Sequence, residues 1–247
     1  MSEEFKRQIE SLLPFVAPVL VYPTIDPGFD GWITGSTTLL ARTKTNRFLI
    51  TADHVVARID ELREGSDIVV LLGGVNAGLI DITLWPTLAR DSLTDICTIQ
   101  VPQDFEAGEL NKDFFELDLA LAHKGCVGDL ALILGFPAGH RCASGNKINA
   151  RVLPIRDYVT DVGTRRFTIA DENNRREILI NPDNLSFPDH HGGMSGAPVF
   201  RIAESTSPTL IGILSESSDA LREAYFCSHA SFLLPDGTFD IRALPPR

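Results

Sequence analysis

Cysteine is scarce in this chain of 247 residues, which carries only Cys97, Cys126, Cys142 and Cys227. No Cys-x-x-Cys pair occurs, so the ligand spacing of a structural zinc site is missing and no metal or other cofactor is expected. Long apolar runs are lacking too. None approaches the ~18 residues that a membrane-spanning helix needs. The first ten residues, Met1-Ser2-Glu3-Glu4-Phe5-Lys6-Arg7-Gln8-Ile9-Glu10, are charged throughout and offer neither the apolar core nor the small-residue cleavage site of a secretory signal. Without such a signal, the sparse cysteines read as reduced and mostly buried thiols, and the expected compartment is cytoplasmic. Positive charge is in deficit. There are 22 Lys and Arg against 33 Asp and Glu, a net charge of −11 and a pI near 4.9. Nucleic acid and anionic membrane both reward a basic surface, so neither is expected as a partner. Internal repeats and low-complexity segments are absent.

What is present is ordinary globular material, 44% hydrophobic and 22% charged. Short β-rich runs fall at 48–51, 67–72, 96–101, 130–135, 148–154, 166–170, 178–180, 197–202 and 209–214, separated by turn signals such as Gly73-Gly74 and Pro235-Asp236-Gly237. No βαβ alternation interrupts them, so the class is all-β, a sandwich or barrels. Residues 3–13 carry Phe5, Ile9, Leu12 and Leu13 on one helical face, and Pro14 and Pro18 end the pattern. That helix is expected to pack on the body as part of an N-terminal arm over residues 1–30. The acidic passage 101–125 reads as a solvated connector.

Three short runs carry chemistry. Gly192-Gly193-Met194-Ser195-Gly196-Ala197-Pro198-Val199 sets one serine among small residues, where its hydroxyl can stand exposed and backbone can approach a ligand. Thr51-Ala52-Asp53-His54-Val55-Val56 and Thr94-Asp95-Ile96-Cys97-Thr98-Ile99 lie upstream. A serine hydroxyl is a poor nucleophile near neutral pH and needs a base and an orienting group. His54, Asp95 and Ser195, 41 and 100 residues apart, are candidates for base, orienting carboxylate and nucleophile. Asp53 competes for the carboxylate role. Read as strand neighbours, residues 53 and 54 would point to opposite faces, which argues against it. Asp118, in Leu117-Asp118-Leu119-Ala120-Leu121, also competes, but stands only ten residues before Gly128-Asp129.

Taken together, these runs resemble the chymotrypsin-like (trypsin-fold) serine peptidases, especially their bacterial branch. Gly35-Ser36-Thr37-Thr38-Leu39-Leu40 with Phe48-Leu49-Ile50-Thr51-Ala52 is similar to the strand pair that leads into the family's histidine. The segment from Val127 to Pro137 resembles the opening of the second barrel, and Leu210 to Ser215 the strand beyond the nucleophile. The resemblance implies two six-stranded antiparallel β-barrels in a domain over 31–247, joined within 101–125, behind a short N-terminal helix. It places the second barrel's opening close after Asp118, which leaves Asp95 as the expected carboxylate. It implies an oxyanion hole from the N–H groups of Gly193 and Ser195, and contact of Ser215 with the carboxylate. An extended protein or peptide substrate would add as a strand along Ser215-Glu216-Ser217. Asp189 and His190 are candidates for a specificity-pocket wall, or for a solvated loop. Met194 stands where animal digestive relatives carry an aspartate that pairs with a new N-terminus, so activation by that route is not expected.

The implied activity is a regulated serine endopeptidase working through an acyl-enzyme intermediate, its regulator a separate protein. Two other readings remain. One is a non-catalytic scaffold with a protease fold. The other is an α/β-hydrolase esterase, whose Gly-x-Ser-x-Gly elbow is only partly matched by Gly193-Met194-Ser195-Gly196-Ala197.

Overall fold

The central strands are built from runs of buried residues more than from strict alternation. The computed structural model describes residues 3–24, 34–73, 78–117, 124–144, 147–172, 175–178, 192–203, 206–218 and 224–240. Strand β1 (Val16–Pro23) is buried continuously from Val16 through Tyr22. It lies between β2 (Thr34–Arg42) and β4 (Ile68–Gly73), so both of its edges are paired. Pro18 is tolerated there because the ladder to β4 begins only at Val19. This strand belongs to the first sheet, so of the described residues in 1–30 those up to Phe15 lie outside it.

The first sheet runs β5 (Leu79–Asp81), β4, β1, β2, β3 (Arg47–Thr51), β7 (Ile96–Gln100), β6 (Thr87–Asp91), with the two-residue β8 (Phe115–Glu116) parallel to β2. Its strands curl round a core that includes Val19, Leu40, Leu49, Val70 and Leu72. The second sheet closes on itself. Six of its seven strands form the ring, β9 (Leu130–Gly135), β12 (Leu153–Val162), β13 (Arg166–Ala170), β17 (Ala224–His229), β16 (Thr206–Ser218) and β15 (Pro198–Ala203); the two-residue β14 (Glu177–Ile178) pairs with β12, and β10 (Arg141–Ser144) with β11 (Lys147–Ala150) makes a separate hairpin. The pairing of β13 with β12 completes the ring, around Ile133, Phe167, Met194 and Tyr225. The architecture is therefore one closed six-stranded antiparallel barrel beside a second, mostly antiparallel sheet. Two closed barrels were expected. Among the described residues, β5 and β6 at the ends of the first sheet share no ladder.

A third core cluster lies between the halves. It joins Leu39, Phe48 and Ile50 of the first to Leu132, Phe200 and Ile213 of the second. Helix α1 (Glu3–Leu12) inserts Phe5, Ile9 and Leu12 into the same cluster. The Arg156 guanidinium covers the Phe5 ring at 4.6 Å. The crossover 101–129 links the halves, and the buried Lys112 ammonium donates to Leu13 O at 3.0 Å there.

One element departs from the sequence reading. Residues Asp53–Gly65 form helix α2, not an extended run. Val56 and Ile59 are buried, with Val55 and Leu62 packed beside them, an i, i+1, i+4, i+7 stripe on one helical face.

If α1 is part of the core, Phe5→Ala should destabilise the fold by about 3–5 kcal/mol, as for other fully buried aromatics. Denaturant unfolding measures this, and a loss below about 0.5 kcal/mol would mean that α1 is a detachable arm.

Candidate functional site

Helix α2 begins at Ala52 as N-cap, and alanine supplies no side-chain acceptor. The first N–H groups of a helix need partners from elsewhere. Asp95 provides them. Its carbonyl oxygen accepts the Asp53 N–H at 3.2 Å, and its Oδ1 accepts the His54 N–H at 2.9 Å. A carboxylate there also meets the positive end of the helix dipole. Asp95 reaches this position from a tight turn. Asp91 Oδ2 accepts both the Thr94 hydroxyl, at 2.7 Å, and the Thr94 N–H, at 3.1 Å. Asp95 then takes φ 54°, a left-handed conformation that aspartate adopts more readily than most residues. It sits in the turn before β7, so its side chain is aimed by that turn and not by strand alternation.

The same carboxylate holds the His54 ring. Nδ1 lies 2.9 Å from Oδ2 and 3.1 Å from Oδ1, so Nδ1 carries the proton and Nε2 is left as acceptor. His54 is raised above the ordinary histidine value. The hydrogen bond to Asp95 is the largest cause, burial opposes it, and the charges of Asp95, Asp53 and Glu216 add to it. Carboxylate and burial oppose each other here, and the short Nδ1 contacts tip the balance upward. For Asp95, burial is the largest influence and pushes upward. It is outweighed by bonds from the His54 ring and N–H, by the charge of His54, and by the Ser215 hydroxyl, leaving a lowered pKa. The Ser215 contact implied by resemblance is thus present. Ser215 Oγ also lies 3.1 Å from Ser228 Oγ, in a buried pair.

Asp53 is no rival for this role, though not for the strand reason given above. Its Oδ1 accepts Arg90 Nε at 2.6 Å, and Arg90 Nη1 donates to Asp60 at 2.5 Å. Asp118, Asp189 and His190 lie outside the described residues.

The Ser195 loop is brought to the start of α2 by close backbone contact. Gly196, at φ +85°, has no room for a side chain: a Cβ would lie 2.2 Å from Thr37 O and from Thr51 Oγ1, and 3.0 Å from Ala52 N. Ser195 O accepts the Thr37 N–H at 3.0 Å. Ser195 is half-buried, and no hydrogen bond joins its hydroxyl to His54 among the described residues. Such bonds commonly tighten only with substrate in place.

The N–H groups of Gly193 and Ser195 are oriented through their own peptide planes. Gly192 O accepts the Ala138 N–H at 2.6 Å, and Met194 O accepts the Ala197 N–H at 2.8 Å. In a trans peptide the N–H points opposite to the C=O. Both N–H groups are therefore turned away from these anchors. Met194 is fully buried in the core of the second barrel, packed over Gly135. In β16, the ladder to β17 is irregular between Leu214 and Glu216. The Glu216 side chain is 63% exposed, 3.8 Å from Arg166.

Sequence reasoning missed two residues that touch this loop. Thr37 Oγ1 donates to Gly193 O at 3.0 Å, and Arg141 Nη2 donates to the same oxygen at 3.2 Å. Thr37 was legible only as part of a strand, and Arg141 carried no signal, because its partners come from distant segments. The thiols are remote in character. Burial pushes Cys97 up to about 12 and raises Cys227 as well, while Cys126 is exposed. Among the described residues no group of three or more His, Cys, Asp or Glu could hold a metal ion.

No protein-family model matches the sequence, and no curated protein matches it either. Solved structures do match. Deg5 superposes with a TM-score of 0.52 at 12% identity, covering 93% of this chain and 91% of that one. The active form of the Rv3671c protease from M. tuberculosis gives 0.51 at 15% identity, over 90% of this chain and 79% of that one. The thermostable serine protease AL20, from an extremophilic microorganism, gives 0.51 at 12% identity, over 88% and 91%. At these identities the likeness is one of architecture, and it extends over nearly the whole chain: this protein has the chymotrypsin-like fold of the trypsin-like serine proteases.

Proposed function

We propose that the protein is a serine endopeptidase. The observation that carries the reading is the His54 ring held through Nδ1 by both oxygens of Asp95, on a helix whose first residues abut the Ser195 loop. Ser195 Oγ attacks the scissile carbonyl while His54 Nε2 takes its proton. The developing oxyanion is met by the N–H groups of Gly193 and Ser195. His54 returns the proton to the leaving amine, and water resolves the acyl-enzyme with His54 again as base. Asp95 keeps the tautomer and stabilises the imidazolium. A protein or peptide substrate lies extended beside Ser215, Glu216 and Ser217. Two of the structurally similar chains are described as proteases, which supports the assignment.

The free thiols of Cys97, Cys126 and Cys227 suit a reducing compartment, so we place the enzyme in the cytoplasm, restrained there by a separate regulatory protein. The esterase reading falls with the fold, because an α/β-hydrolase needs a parallel sheet with crossover helices and these sheets are antiparallel apart from β8. The scaffold reading makes a different prediction at Ser195. A fluorophosphonate should label the wild type and leave Ser195→Ala untouched, with the fold of that variant intact by circular dichroism. An unlabelled, well-folded wild type would favour the scaffold.

Asp95→Asn should lower kcat about 10⁴-fold by favouring the wrong tautomer of His54. The base must be neutral, so kcat/KM should rise with pH and level off. Since the imidazolium is favoured in the fold, the midpoint should lie above 6.5. A midpoint below 6.5 in the pH profile would contradict the assigned environment of His54.

Iodoacetamide should leave activity intact, because the thiols of Cys97 and Cys227 are buried and held protonated. Loss of activity on alkylation, without loss on fluorophosphonate treatment, would replace the serine mechanism with a thiol one.

A further inference from the structure

A glycine at the oxyanion loop solves one problem and creates another. Gly193 takes φ +91° at no steric cost, but glycine enters positive and negative φ about equally well. Nothing intrinsic to it keeps its N–H aimed at a substrate. The orientation is fixed only if both flanking peptide planes are fixed. The plane before it is anchored by Ala138 N–H on Gly192 O. The plane after it is anchored by two donors on a single oxygen, Gly193 O: the Thr37 hydroxyl at 3.0 Å and Arg141 Nη2 at 3.2 Å.

These two donors come from opposite halves of the molecule. Thr37 is fully buried in β2, and its hydroxyl also accepts the Phe136 N–H at 2.9 Å, so its proton is committed to Gly193 O. Arg141 follows the end of the second half's β9. Its Nη2 also donates to Phe136 O at 2.5 Å and to Ser36 O at 3.3 Å. The guanidinium occupies a slot between two glycines. A Cβ at Gly35 would fall 1.8 Å from Nη1, and one at Gly193 would fall 2.6 Å from Nη2. Burial lowers Arg141 to about 10, while Tyr22 opposes the shift, so the group stays cationic at neutral pH. Met194, meanwhile, is committed to the barrel core and supplies no carboxylate to steady the loop.

We infer that Arg141 and Thr37 are positioning residues that hold the oxyanion loop in its donating orientation by clamping the Gly193 carbonyl from behind. The inference rests on the serine-peptidase reading and adds to it the device that keeps the site assembled without a cleaved N-terminus. Neither residue touches substrate; both act through the Gly193 peptide.

The test compares wild type, Ser195→Ala, Thr37→Val, Thr37→Ser and Arg141→Ala. The readouts are fluorophosphonate labelling rate, kcat and KM on p-nitrophenyl acetate, and thermal unfolding. Thr37→Val and Arg141→Ala should each lower kcat and labelling about 10- to 100-fold, up to the loss seen when one oxyanion donor is removed. KM should stay within about threefold, because the loss falls on the transition state. Thr37→Ser restores the hydroxyl and should recover most of kcat. Added guanidinium ion, at concentrations below those that unfold the protein, should partly restore Arg141→Ala and not Thr37→Val. A folded Thr37→Val with wild-type kcat overturns the clamp, and so does a loss of activity that Thr37→Ser fails to rescue. Should Arg141→Ala not fold, the Thr37 pair of variants decides alone. A wild type inert to both reagents rejects the peptidase reading and this inference with it. A labelled wild type whose variants are equally reactive rejects only the clamp.

Discussion

His54 and Ser195 belong to different halves of the molecule, and the hydrogen bonds of Thr37 tie those halves together. Its N–H goes to Ser195 O, its hydroxyl to Gly193 O, its Oγ1 accepts from Phe136, and its carbonyl accepts the Thr51 hydroxyl at 2.9 Å. Thr51 ends the strand that leads into α2 and His54. Thr37, Thr51 and Phe136 are buried in this node, where a satisfied bond contributes only about 1 kcal/mol but an orphaned group costs about 1–3. The network therefore enforces registry more than it adds stability. A small slip of one half against the other would leave several buried groups without partners at once.

On the first half, the same economy of groups recurs at Asp95. One carboxylate completes the start of a helix and orients the ring that the helix carries. The helix dipole disfavours a positive imidazole near its N-terminus, and the carboxylate compensates. The raised His54 and lowered Asp95 follow from that single geometry, not from two separate adjustments.

As candidates, His54, Asp95 and Ser195 were legible in the sequence from residue type and local setting, and the structure brings His54 and Asp95 into contact and sets the Ser195 loop beside them. Less was legible wherever tertiary context decided. The helix over Asp53–Gly65 buries only part of one face and follows directly on a strand, so its period was hidden beside the β pattern. Strand β1 was masked by Pro18, a helix-stopping residue that this ladder accommodates. How many of the sheets close into barrels could not be read from the sequence, since closure is a matter of which edges meet. Arg141 is a single basic residue whose role exists only where Ser36, Phe136 and Gly193 converge.

Helix α1 raises a question of order in time. Its apolar face is covered by a cluster drawn from both halves, and its Gln8 meets Arg156, a residue 148 positions later. Phe200 and Phe232 of the same cluster come later still. During synthesis these ten residues emerge before nearly everything that will cover them. Such long-range closure is slow and leaves apolar surface exposed meanwhile. Made well before its cover, this segment is thus among the last to find its place, and Phe5, Ile9 and Leu12 are the surface a nascent chain must shield until the second barrel is complete.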